Sequence, residues 1–310
     1  MRAVVTGSTG LIGRHLVPRL MADGHHVVGL TSHSADILSS EYHTCDVVGE
    51  QAIDLASNGD VIVHLAGLAD ASTSVREPVQ YNRVNALGTL HMLEAARRAN
   101  GAFVLASTQR LFRPQAGPID ESTQPAPIDP YGYSKLIAED WVRMYQELYG
   151  LRTVVLRFFS VYGPGQEVAP GVASGVVTIF LRQALAHATL RVDNRQRRDF
   201  TFASDVAEGI RLVIRQPGAW GKTYNIATGV STSLLELALL IKEVTGSSSR
   251  VVGPGEQGEG ENYVADVTRA HRELGYQASV RLADGIRLYA RWLKEHSTRA
   301  AEGAPDQTSA

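Results

Sequence analysis

Two side chains in this 310-residue sequence stand at a spacing that chemistry can use: Tyr131 and Lys135, four positions apart and directly after Pro130. On a helix that spacing puts both on one face. A phenol with an ordinary pKa of about 10 is a poor base, but a neighbouring ammonium favours the phenolate and is expected to draw the pKa of Tyr131 towards neutrality. The tyrosine then becomes a proton carrier. A second hydroxyl is needed to hold the oxygen whose proton moves. Thr108, just past the apolar run AFVLA at 102–106, lies where parallel sheets place their ligands. A Tyr and a Lys four apart are, on their own, far more often surface residues; the start of the chain is what gives them a use.

That start reads MRAVVTGSTGLIGR. A β-branched apolar run from Arg2 to Thr6 is followed by Gly7, Gly10 and Gly13, and then by a helical pattern carrying Leu11, Ile12, Leu16, Val17 and Leu20. Strand, glycine turn and helix supply φ freedom, a backbone that a pyrophosphate can approach closely, and a helix N-terminus that favours negative charge. A dinucleotide is the natural ligand. The alternative is a glycine turn that binds nothing.

The elements that must position these groups alternate. Strand candidates fall at 2–6, 26–30, 42–46, 60–65, 102–106 and 153–158, with helical periodicity between most of them. Such alternation means βαβ units around a buried parallel sheet. Glu77 to Asn100 reads as one long amphipathic helix through Val84, Leu87, Leu90, Leu93 and Ala96. Tyr131 to Tyr149 reads as another, through Ile137, Trp141, Met144 and Leu148. After about Phe159 the style changes to a glycine and proline cluster, a helix near Ser174 to His187, and short strands. The expected architecture is α/β: a Rossmann-type doubly wound sheet over 1–160 with a return segment near 200–228, and a smaller α/β substrate-binding domain over 161–296. Asp205 with Glu208 reads as a capping box opening a helix to Arg215, and Thr232 to Thr245 as a helix closed by Gly246. Leu282 to His296 reads as a final helix and 297–310, without large apolar residues, as a disordered tail. There is no internal repeat.

Composition narrows the partners. Thirty basic and 32 acidic residues leave a net charge of −2, which argues against nucleic acid and membrane surfaces and for a small molecule. Cys45 is the only cysteine, so an internal disulfide and a cysteine-based zinc cluster are excluded, and no metal site is expected. No apolar run approaches the roughly 18 residues of a membrane span, and no signal peptide is read ahead of the first strand. The expected location is cytoplasmic.

These residues resemble the extended short-chain dehydrogenase/reductases, specifically the NAD-dependent nucleotide-sugar epimerase/dehydratase branch, from Arg2 to about His296. The motifs come in order: TGSTGLIG, CDV from Cys45, VIVHLAG from Val61, NALGT from Asn85, Ser107-Thr108, PYGYSK from Pro130, RFFSVYGPGQ from Arg157, RRDFTF from Arg197 and YNIATG from Tyr224. The resemblance implies that Tyr131 is the acid/base, that Lys135 lowers its pKa and holds the nicotinamide ribose, and that Thr108 binds the reacting hydroxyl. Gly7, Gly10 and Gly13 would wrap the pyrophosphate, with Leu11 and Ile12 among them. Thr31 would meet the adenosine ribose, and Asp46 and Val47 would flank the adenine. Leu65, Ala66, Gly67 and Phe158 would line the cofactor with Asn85 close behind, and Ser160 and Arg198 would meet the substrate. A solvated charge in a basic loop is the competing account of Arg198.

The activity so implied is a nucleotide-sugar 4-epimerase. Hydride passes transiently to bound NAD while Tyr131 takes the hydroxyl proton, through a 4-keto intermediate. The alternatives are an NAD(P)H-dependent 4-ketoreductase or dehydrogenase, and a non-catalytic dinucleotide sensor. Departures guide the choice. Gln109 and Arg110 stand where dehydratases of the family carry an Asp-Glu pair, while SGVVTIF at 174–180 resembles bacterial UDP-glucose 4-epimerases. Ser160 replaces a usual asparagine, and Glu256 lies near the place of a second phosphate-binding arginine. Thr31 replaces the usual acid, which allows NADP, yet only His33 follows to meet a 2′-phosphate, so NAD is expected. Pairing of the two long helices across a two-fold would make a homodimer.

Overall fold

Alternate residues along each apolar run face opposite ways, and this decides the layers. Ala3, Val5, Val27, Val61, Val63, Val104, Val154 and Leu156 share one buried cluster, whereas Val4, Val28, Leu30, Ile62, Phe103, Leu105 and Val155 share another. A sheet with two apolar faces must be covered on both. The computed structural model describes residues 1–32, 39–166, 175–254 and 262–302, with the backbone alone over 297–302.

In the first half the elements are β1 (Arg2–Thr6), α1 (Gly13–Ala22), β2 (His26–Thr31), β3 (Glu41–Thr44), α2 (Glu50–Ala56), β4 (Val61–His64), α3 (Ala71–Arg76), α4 (Pro78–Tyr81), a π-helical turn (Asn82–Leu87), α5 (Gly88–Arg98), β5 (Ala102–Thr108), α6 (Pro130–Tyr149) and β6 (Arg152–Phe158). The second half carries α7 (Val176–Leu185), β7 (Leu190–Arg191), β8 (Arg197–Arg198), α8 (Ala203–Arg215), β9 (Lys222–Ile226), β10 (Thr232–Ser233), α9 (Leu234–Thr245), β11 (Val251–Val252), β12 (Asn262–Tyr263), α10 (Thr268–Leu274) and α11 (Leu282–Glu302). Seven strands form one parallel sheet in the order β3-β2-β1-β4-β5-β6-β9. The strand order reverses between β1 and β4, the crevice where doubly wound sheets take ligands. Residues of α1, α8 and α10 cover one face, and residues of α2, α5 and α6 the other. A separate core joins α7, α9 and α11 through Phe180, Leu181, Leu237, Ile241, Ile286 and Tyr289.

Three expected elements differ. The helix read as Glu77 to Asn100 is broken: Pro78 opens its own turn, and the π-helical turn adds a residue before α5 begins. That turn places Asn85 and Ala86 inside and leaves Leu87 exposed. Asn85 is then able to bond the backbone of Leu68 in both directions, Leu68 N to Oδ1 at 2.8 Å and Nδ2 to Leu68 O at 3.0 Å. The capping box expected at Asp205 does not form. The helix starts at Ala203, and Asp205 accepts instead from Ser279 Oγ at 2.8 Å and Val280 N at 3.0 Å. A true box opens α9, where Ser233 and Glu236 cap each other, and Gly246 ends it in the left-handed conformation. Finally, α11 runs to Glu302, past the expected end at His296. His33 and Glu256, and the tail from 303, lie outside the described residues.

Candidate active site

The glycine turn is forced by its neighbours. Gly7 has φ +65°, and a Cβ on it would sit 2.8 Å from Ala66 N. A Cβ on Gly13 would lie 2.4 Å from Gly7 O, so α1 can begin this close to β1 only with hydrogen there. The amides of a helix's first turn have no partner within the helix, and those at Leu11, Ile12 and Gly13 open α1 at the sheet's crevice. Gly67 continues the bare floor: a Cβ there would be 3.0 Å from Asn85 Oδ1 and 3.8 Å from Lys135 Nζ. Backbone without side chains, a helix N-terminus and a buried ammonium together fit a dinucleotide.

Lys135 and Tyr131 project from the first turns of α6 and both are buried. Asp129 caps that helix by accepting from Gly132 N at 2.8 Å, and Pro130 takes the first helical position, where no N–H is needed. Ser134 locks the turn, donating to Tyr131 O at 2.7 Å and accepting from Asn85 Nδ2 at 2.9 Å. The Thr108 side chain, at the end of the neighbouring β5, lies beside the Tyr131 phenol. Thr108 Oγ1 also accepts from Arg110 N at 3.2 Å. The tyrosine, lysine and threonine read from the sequence thus meet at the carboxyl ends of the strands.

Their electrostatics differ from the expectation. Burial pushes the Tyr131 phenol up to about 12, and the neighbouring Thr108 side chain only partly offsets this. Burial brings the Lys135 ammonium down to about 8, with Glu139 working in the other direction. Desolvation disfavours the charged form of both groups, so proximity alone does not make the phenol acidic here. Glu139 is itself held in a buried network. It accepts from Arg157 Nε at 3.0 Å and Nη2 at 2.7 Å, and from Ser107 Oγ at 2.5 Å.

Among the residues expected to meet the adenosine, Thr31 is buried with its hydroxyl 2.7 Å from Thr9 Oγ1. The Asp46 carboxylate pairs with Arg83 at 3.0 Å and accepts from Val48 N, while Val47 packs against Gly88. Leu65 and Ala66 follow β4, with Ala66 N donating to Thr6 Oγ1 at 3.1 Å, and Phe158 closes β6 opposite Thr108. Of the two residues expected to meet the substrate, Ser160 has φ +27° and accepts from Gln109 Nε2 at 3.1 Å. Arg198 lies on β8, beside Tyr263 of β12. Burial, and then the like charge of Arg110, hold its guanidinium below the ordinary arginine range. Its Nε is buried with no partner among the described residues, which is not the state of a solvated loop charge.

Several residues of this cleft were not read from the sequence. Asp129 pairs with Arg110 as well as capping α6, and its place before Pro130 was the available sign. His64, buried at the end of β4, sets Nδ1 2.8 Å from Thr6 Oγ1 and is held near pKa about 3 by burial and then by Lys135. Asp199 accepts from Thr228 N at 2.9 Å and Gly229 N at 2.7 Å, tying the Arg198 strand to the end of β9. Among the described residues, no group of three or more His, Cys, Asp or Glu side chains could hold a metal ion.

A seven-stranded parallel sheet with a glycine turn at its crevice, and a tyrosine and a lysine buried on one helix with a threonine beside them, defines a dinucleotide-dependent enzyme of the short-chain dehydrogenase/reductase class. More narrowly, residues 3–227 match the NAD dependent epimerase/dehydratase family, and the chain belongs to it. The chain is 34% identical to a UDP-glucose 4-epimerase of Mycolicibacterium smegmatis over 92% of its length and 96% of that protein's. It is 29% identical to a putative UDP-glucose 4-epimerase of Methanocaldococcus jannaschii, over 95% of this chain and 99% of the other. Among solved structures, the Thermotoga maritima UDP-glucose 4-epimerase with UDP-glucose superimposes with TM-score 0.87 at 28% identity, covering 96% of this chain and all (100%) of that one. The Bacillus cereus UDP-glucuronic acid 4-epimerase, in complex with UDP-glucuronic acid and NAD, gives TM-score 0.86 at 27% identity, covering 96% and 100%.

Proposed function

We propose that this protein interconverts the C4 epimers of a UDP-sugar, keeping NAD in the cleft throughout the cycle. The observation that carries the reading is the burial of Tyr131 and Lys135 in the first turns of α6, with the Thr108 side chain beside the phenol, at the mouth of the glycine turn. Thr108 holds the reacting hydroxyl next to the phenol, and Tyr131 takes its proton and later returns it. NAD supplies the hydride acceptor and, when bound, a positive charge in a site whose burial otherwise keeps the phenol neutral. Lys135 and the backbone at Gly7, Gly10, Gly13 and Gly67 hold the dinucleotide, and Arg198 meets the nucleotide phosphates. The division of labour that follows is a cofactor-binding part over 1–160 with the return segment near 200–228, and a substrate-binding part over the rest.

The test is to incubate the purified protein with UDP-glucose and with no added cofactor, and to follow UDP-galactose by chromatography. A second measurement denatures the protein and reads released nicotinamide by absorbance. Product without added cofactor, together with released NAD, is expected. Turnover only with added NADH or NADPH would replace the reading with a ketoreductase.

We infer also that the protein pairs with itself. Ile137, Leu148 and Tyr149 on α6 are exposed, as are Val79 and Leu87 on the neighbouring segment, so two adjacent helical segments present apolar side chains to solvent. A second copy placed across a two-fold would cover them. Light scattering at twice the chain mass is expected, and a monomer at micromolar concentration would refute it. No helix among the described residues is long and apolar enough to cross a membrane, and a cytoplasmic location suits a reduced Cys45.

A further inference from the structure

Gln109 follows Thr108 directly, and its side chain is 8% exposed. Among the described residues the carboxamide has one partner, Ser160 Oγ at 3.1 Å, and its buried Oε1 has none. Turning the amide over exchanges the two ends and leaves the other one orphaned. A buried polar atom without a partner is costly, and native sites keep one where a ligand completes it. Its surroundings say which ligand. Thr108 and Phe158 are paired across β5 and β6, so Gln109 and Ser160 leave the sheet side by side, on the edge where Thr108 meets Tyr131. Ser160 is held at φ +27°, a conformation that non-glycine residues adopt only under constraint from their surroundings. Its carbonyl lies 3.4 Å from Thr201 N, on the segment that follows Arg198. The pair therefore stands between the reacting hydroxyls and the phosphate-side arginine.

We propose that the Gln109–Ser160 pair grips a hydroxyl of the sugar ring other than the one being oxidised, the orphaned end of the carboxamide making the bond. This deepens the proposed function and rests on it for the nature of the ligand. Gln109 thereby holds the sugar, whereas the nucleotide is held elsewhere.

The experiment titrates NAD-loaded wild type and Gln109→Met with UDP and, separately, with UDP-glucose by calorimetry. Wild type is expected to bind UDP-glucose more tightly than UDP. The variant is expected to bind UDP as wild type does, which also shows that it is folded, and to lose about tenfold on UDP-glucose. Ser160→Ala should show the same selective loss. Equal weakening of UDP and UDP-glucose would overturn the proposal, since Gln109 would then only brace the loop, and so would an unchanged affinity for UDP-glucose. Should the selective loss appear while wild type makes no UDP-galactose, epimerisation falls and the sugar grip stands. Should wild type make UDP-galactose without any selective loss, the grip falls and epimerisation stands.

Discussion

The imidazole of His64 offers a direct measurement of how dry the floor of the cleft is. The ring is fully buried, its Nδ1 faces Thr6 Oγ1 at 2.8 Å, and its Nε2 has no partner among the described residues. Burial, followed by the Lys135 charge, lowers its pKa from 6.5 to about 3. A base whose folded pKa is depressed takes its proton in the unfolded chain first. The native state therefore keeps its full stability above about pH 6.5 and loses it progressively as the pH falls towards 3. Applying the linkage relation to these two pKa values, moving from pH 7 to pH 5 costs ~2 kcal/mol through this one ring. The substitution His64→Asn keeps an acceptor facing Thr6 and removes the titration. Urea unfolding of both proteins at pH 7 and pH 5 gives the comparison. Whatever the substitution costs at pH 7, the further loss at pH 5 should be ~2 kcal/mol smaller in the variant than in wild type. Carboxylates that titrate in both proteins cancel in the difference. An identical pH 5 loss in the two would mean that water reaches the ring, and the account of the buried strand ends would fail.

Replacing Tyr131 with Phe removes the proton carrier, so kcat should fall about 10²- to 10⁴-fold while the NAD released on denaturation stays near one per chain; unchanged kcat would sink the assignment. Arg157→Met strands Glu139 as a buried unpaired carboxylate and should lower unfolding free energy by ~3–5 kcal/mol in a denaturant titration, a loss that Arg157→Met with Glu139→Met largely restores. Gly13→Ala puts a methyl 2.4 Å from Gly7 O, so the variant should purify without NAD and show no product; full NAD occupancy would refute the close approach of α1 to the turn.

The fold was legible where apolar runs are buried on both faces, because such runs have no other stable placement. The strands β1, β2, β4, β5 and β6 are of this kind, whereas the edge strand β3, Glu41–Thr44, is polar and half-buried. The seventh, Lys222–Ile226, mixes Lys222, Thr223 and Asn225 with two apolar residues and did not read as a strand. Its buried Asn225 is tied to distant backbone, Nδ2 donating to Ile119 O at 2.8 Å and Asp266 O at 3.2 Å. Asp205 was misread for a related reason: its partners at Ser279 and Val280 are remote in sequence, so a local capping pattern was the only visible explanation. In the candidate site, residue types and spacing located Tyr131, Lys135 and Thr108. They could not give the charge state of the phenol, which depends on how much water the finished fold excludes. The outward face of α6 was visible as an apolar stripe, but its exposure could be known only once Ala138, Val142 and Tyr145 were seen to fill the inner face.

One carboxylate sets the relation between the two reactive hydroxyls. Asp129 fixes the start of the helix that bears Tyr131, and the same group holds Arg110, two residues beyond Thr108. The segments that carry the Tyr131 phenol and the Thr108 hydroxyl are thus fastened to each other by a clasp that belongs wholly to the sheet-forming part of the chain. The strand that carries Arg198 lies outside that clasp, so a substitution there leaves the start of α6 and its tie to Arg110 in place.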